Sequence, residues 1–146
     1  MPAFDSVSSA LRGLAQLERQ PLHSTDAWDV PHVLHHFAQS IEYSMTGYPA
    51  LKPAWFRATV GPLAFAVFTW RGRMSHDLAA AVPGAPEIPQ GQQLAPAVQH
   101  AVTALQAFDG HSGALHPHFA YGALDKAAYT RAHLMHLGDH WRVFAP

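Results

Sequence analysis

The chain has 146 residues, enough for one domain of ordinary size, and a hydrophobic content of 49%, enough to build a core. Its formal net charge of −1 and its scattered Lys and Arg offer no basic face for nucleic acid or an anionic membrane. The absence of cysteine excludes disulfides, thiolate zinc sites and cysteine nucleophiles.

The N-terminal stretch lacks the basic start and apolar run of a signal peptide, and no apolar run is long enough to span a bilayer. A cytoplasmic setting is the default expectation, with neither membrane nor nucleic acid as partner. A first helix is expected over residues 5–19, where Phe4, Val7, Leu11, Leu14 and Leu17 recur at helical spacing, Asp5 or Ser6 can cap the start and Gln20-Pro21 ends it. A second is expected over residues 30–46, capped by Asp29, with Pro31 in its first turn and Thr46-Gly47-Tyr48-Pro49 as its stop.

Residues 50–93 are less regular. An apolar and aromatic stretch from Pro53 to Arg71, interrupted by Gly61-Pro62, suggests one or two short helices. The Pro-, Gly- and Gln-rich stretch from Val82 to Pro96 reads as a long connection laid against the rest of the chain. A third main helix is expected over residues 95–108, ended by Asp109-Gly110, and a last one over residues 126–144, capped by Asp125. The four tryptophans, Trp28, Trp55, Trp70 and Trp141, are expected in the core or in a pocket wall.

The compositional outlier is histidine, with twelve residues dispersed along the chain. Imidazole is the commonest protein ligand for ions such as zinc, nickel and copper. On the last helix His133, His136 and His140 are spaced three and four apart and share one face, so that His136 and His140 form an HxxxH pair able to reach one ion. On the second helix His36 adjoins Phe37 beside the apolar face and is the best third ligand. A lone histidine on an apolar face is more often a hydrogen-bonded core residue, and His32, His35, His76 and His100 are assigned to the surface. A di-iron carboxylate bundle is excluded because no glutamate carries a histidine three residues on, and the H-E-x-x-H metalloprotease signature is absent.

These residues resemble the DinB-like (YfiT-type) superfamily of metal-dependent proteins. The segment Trp28 to Phe37 is similar to that family's tryptophan, cap residue and "V-L-x-H-L" stretch, with His36 on its first metal ligand. The segment His133 to Trp141 is similar to its HxxxH stretch, with His136 and His140 on the second and third. Ile41 to Pro49 and His116 to Asp125 resemble one branch of the superfamily, a domain of unknown function. In that branch Gly is usual at the position of Ala120, and another His is frequent at that of Asp139.

The resemblance implies a single all-α domain over residues 1–146. Its fold would be a four-helix bundle with an extra helical segment and a long loop between the second and third main helices. It also implies one divalent ion, zinc or nickel, held by His36, His136 and His140. Characterised relatives include transferases that use low-molecular-weight thiols such as bacillithiol or mycothiol, and a maleylpyruvate isomerase. The functional reading is a metal-dependent hydrolase or thiol transferase acting on a small molecule, with a homodimer as a further expectation. The alternative is a non-catalytic bundle serving as a binding or stress-related dimerisation module. His133, Glu42, Tyr43 and the loop residues His116 and His118 are candidates to line the pocket, orient ligands or move protons.

Overall fold

The structure is a computed structural model and describes residues 4–146. Ser6 opens α1 (Val7–Arg19). Its hydroxyl accepts from the Ser9 backbone N–H at 3.1 Å while its own N–H donates to the Ser9 hydroxyl at 3.2 Å, a reciprocal cap. Asp29 caps α2 (Val30–Thr46) by accepting from the His32 N–H at 2.9 Å, and Gly47, at φ 109°, ends it.

The aromatic stretch forms α3 (Ala54–Ala58) and α4 (Val60–Arg71). The break falls at Thr59, and Gly61-Pro62 lies inside the first turn of α4. There a Cβ on Gly61 would sit 1.7 Å from the Ala120 carbonyl oxygen, so only glycine lets α4 approach the loop ahead of the last helix. That last helix, α6 (Lys126–Trp141), follows α5 (Leu94–Asp109), and Asp125 caps it through the Ala128 N–H at 2.8 Å. α6 stops three residues before the expected end. The chain beyond it turns away so that β2 (Phe144–Ala145) can pair antiparallel with β1 (His23–Ser24).

The four longest helices share one core. α2 packs on α5 and α6, and α1 packs on the same two. Leu14 and Leu17 of α1, Leu34, Phe37 and Ile41 of α2, Leu105 and Phe108 of α5, and Tyr129 and Leu137 of α6 are all buried within it. Each such side chain contributes about 1.5–3 kcal/mol by leaving water. The helical periodicity seen in the sequence is the imprint of this core.

α3 and α4 stand to one side. Trp55 is 64% and Trp70 87% exposed, which corrects their expected place in the core or a pocket wall. α4 is apolar around its whole circumference, and neighbours within the chain cover only part of it. The connection from Gly72 to Gln93 does lie against the bundled helices, burying Met74, Leu78 and Val82. Its far end is fastened to the start of α2. Asp29 Oδ2 accepts from the Gly91 N–H at 2.8 Å, the Asp29 N–H donates to Gln90 Oε1 at 2.6 Å, and Gln90 Nε2 donates to the Ala27 carbonyl at 2.9 Å. No helix among the described residues is long and apolar enough to cross a membrane.

Candidate metal centre

α2 and α6 pack side by side, and this brings His36 against the HxxxH pair. The Nε2 atoms of His36 and His136 are 3.1 Å apart, and those of His136 and His140 are 3.2 Å apart. One nitrogen from each of the three residues lies within 4.8 Å of the other two, close enough for one ion to bridge them. Trp28 covers the cluster from outside. Its ring stacks on His32 at 4.1 Å between centroids, meets His36 edge-on at 5.0 Å and lies parallel to His140 at 6.2 Å.

The rings are held neutral. Burial, helped by the positive charge that neighbouring imidazoles would carry, pushes His36 down to about 3 and His140 down to about 2, and drives His136 well below its ordinary value. A neutral imidazole keeps the lone pair that a metal ion needs. The three sequence-predicted ligands therefore meet in the form in which they could act as ligands.

On one side the cluster opens into a cavity of about 370 Å³. His36, His133 and His136 form part of its wall, with Tyr48, Tyr121 and Val82 among the rest. A largely apolar hollow of this volume with a few convergent polar groups has the character of a small-molecule site.

Of the accessory candidates, His133 and His118 reach this cavity. His133 does not aim at the ion position. Its Nε2 lies 3.2 Å from Ser44 Oγ, which spends its own hydrogen on the Ile41 carbonyl, so His133 is the donor. Burial holds His133 at about 3. His118 Nδ1 accepts from the backbone N–H groups of Ala120 and Tyr121, each at 3.1 Å, and its ring stacks on Tyr121 at 4.2 Å; burial lowers it to about 3. These bonds shape the loop that Gly61 touches.

Glu42, Tyr43 and His116 lie elsewhere. Glu42 pairs through Oε1 with His100 Nε2 at 2.9 Å, and with Tyr43 it lines a separate recess next to His35. His116 is exposed and acts through its backbone. Its N–H donates to the Ser44 carbonyl at 2.9 Å and its carbonyl accepts from the Tyr129 hydroxyl at 2.5 Å.

The surface assignment of three histidines, His32, His35 and His76, also needs correction. His32 is buried beneath Trp28. His35 is half-buried and faces His100, Nδ1 to Nδ1, at 2.7 Å, while His100 keeps the surface place expected of it. His76, on the connection after α4, places its Nε2 3.2 Å from His140 Nε2, at the edge of the cluster. Its Nδ1 lies 2.6 Å from Asp139 Oδ2, which also accepts from the His76 backbone N–H at 3.1 Å, while Arg142 Nε donates to Asp139 Oδ1 at 2.8 Å. Burial works to raise the Asp139 carboxyl, but the hydrogen bonds from His76 and Arg142 outweigh it and the net shift is downward. Nothing in the local pattern around His76 signals this contact. The one sequence hint is a carboxylate, Asp139, placed immediately before a proposed ligand.

No curated protein and no solved structure matches the chain significantly. A family model does, over residues 3–146. The chain belongs to the family described as protein of unknown function (DUF1569).

Proposed function

We propose that His36, His136 and His140 hold one divalent ion, zinc or nickel, in a DinB-like four-helix bundle, and that the adjoining cavity presents a small, largely apolar substrate to it. The observation that carries this reading is the position of His136 Nε2, which has a second ring nitrogen at 3.1 Å and a third at 3.2 Å. A ring nitrogen carries either one hydrogen or one in-plane lone pair, so it cannot make good hydrogen bonds to both neighbours. A cation placed among the three accepts a lone pair from each and removes the conflict.

An ion with three imidazole ligands and an open position acidifies a bound water or thiol and polarises a carbonyl. The chain's own residues supply the rest. Tyr48, Tyr121 and Val82 give the cavity a largely apolar wall, and His133, locked on Ser44, presents its ring to the cavity without competing for the ion. This chemistry serves a metal-dependent hydrolase or a thiol transferase using a low-molecular-weight thiol.

Elemental analysis of the protein as purified tests the reading. One equivalent of zinc or nickel is expected, absent from His136→Ala, and chelator should lower the melting temperature of the wild type alone. Conjugation of a thiol to an electrophile, set against hydrolysis of small esters and amides, then separates the two chemistries.

One observation favours a second reading. Val60, Leu63, Val67 and Trp70 form an exposed apolar stripe along α4, at the spacing of a helix-pairing seam. Such a stripe suits a second copy of the chain, as in a dimerisation module, and light scattering on wild type and Trp70→Glu tests it.

A further inference from the structure

We propose that His76 is a fourth nitrogen ligand for this ion, displaceable by substrate, and that buried Asp139 orients it. The inference rests on the three-histidine reading above and extends it with a donor from outside α2 and α6.

The first argument is distance. His76 Nε2 lies 3.2 Å from His140 Nε2, matching the 3.1 and 3.2 Å that separate the nitrogens of the triad. Two imidazole nitrogens bound tetrahedrally at zinc–nitrogen lengths of ~2.05 Å stand about 3.4 Å apart. His140 Nε2 thus shares the difficulty of His136 Nε2, with two nitrogen neighbours and one position for a hydrogen or a lone pair.

The second argument is the tautomer. Asp139 Oδ2 can only accept, so His76 Nδ1 carries the hydrogen between them, and Nε2, the nitrogen left to offer a lone pair to an ion, faces the cluster. Arg142 on the other carboxylate oxygen and the His76 backbone N–H on the same one hold Asp139 in place. A carboxylate behind a histidine is the usual way in which a metal-binding imidazole is oriented and made more basic. By contrast, His36 Nδ1 and His140 Nδ1 are buried without a protein partner.

The third argument is placement. His36 and His140 are fixed on helices and almost fully buried, whereas the His76 side chain is 24% exposed and sits on the connection that lines the cavity together with Met74 and Val82. Of the four rings it has the freedom to withdraw when a substrate reaches the ion. His76 stands at the edge of the compact triad, so ligation draws this connection inward.

The test compares wild type, His76→Gln, Asp139→Asn and His136→Ala. Zinc affinity is measured by competition with a chromophoric chelator, and the visible absorption of the cobalt-loaded protein reports coordination number and donor type. His76→Gln keeps an amide N–H for Asp139 but loses the imidazole. It should bind zinc at least about 10-fold more weakly, the least that loss of a ligand's support costs, and give a changed cobalt spectrum that added imidazole restores toward wild type. Asp139→Asn should shift affinity the same way by a smaller factor. If His76→Gln keeps wild-type affinity and an unchanged cobalt spectrum while His136→Ala loses the ion, the fourth ligand is refuted and the triad stands. If the wild type takes up no stoichiometric zinc or cobalt, both readings fall together.

Discussion

Two groups of histidines lie on opposite sides of α2, and only one is arranged to hold an ion. Toward α6, Nε2 atoms of His36, His136 and His140 converge, with His76 at the margin. Toward α5, Glu42, His100 and His35 touch in a line. His100 gives Nε2 to Glu42 and turns Nδ1, on the opposite edge of its ring, to His35. A cation needs several lone pairs aimed at one point, whereas a chain that enters one edge of a ring and leaves by the other has no such point. Histidine abundance and close approach are common to both regions, and convergence of lone pairs separates them.

The largest expected effect tests that distinction directly. His136→Ala should weaken zinc binding by more than about a hundredfold, since a ligand is lost and not merely its support, while His100→Ala should leave it unchanged. Isothermal titration on the two variants is the measurement, and equal losses would dissolve the contrast.

Acid should act mainly through the α6 side. His36, His133 and His140 are almost fully buried and held at about 2 to 3, so above pH ~6.5 neither the folded nor the unfolded chain protonates them. Below that pH the unfolded chain takes up protons that the folded one refuses. Stability should therefore fall as pH drops from ~6.5 toward 3, by up to about 1.4 kcal/mol per pH unit for each group. Burial, and then the neighbouring His100 charge, lower His35 as well. Urea unfolding of metal-free protein at pH 7 and pH 5 should show the decline, and His35→Gln should leave most of it in place.

Ser44→Ala should cost about 1–3 kcal/mol, because it strands the His133 N–H in the interior, yet leave zinc stoichiometry intact. Glu42→Gln should do least. The pair with His100 is solvent-exposed, and a change within about 1 kcal/mol with unaltered zinc affinity is expected from thermal melts and titration.

Much of the scaffold was legible because local chemistry decides it. Ser6, Asp29 and Asp125 each cap the helix that follows, and apolar spacing marks the faces that meet in the core. The meeting of the triad was legible partly from spacing, since His136 and His140 lie one turn apart on α6 and His36 lies beside an apolar face, and partly from the family resemblance. His76 was not, because its partner Asp139 is 63 residues away and neither helical period nor a short motif carries a contact of that range. Glu42, a candidate from the sequence to line the pocket or orient ligands, stands on the other side of α2, as α-helical geometry indicates. At about 100° per residue, Glu42 stands far around α2 from His36 but almost in line with His35. Trp55 and Trp70 defeated the reading for another reason. Hydrophobicity says that a side chain prefers to leave water, not that its own chain provides the cover.

Asp29 shows how one carboxylate can serve two masters. Oδ1 completes the first turn of α2, and Oδ2 fastens the Gly91 end of the segment whose other end brings His76 to the cluster. Replacement by Ser would spare the helix start yet remove one of the three bonds that fasten the segment. Replacement by Asn would set an amide N–H against the Gly91 N–H, leaving Gln90 alone to hold that end of the clasp.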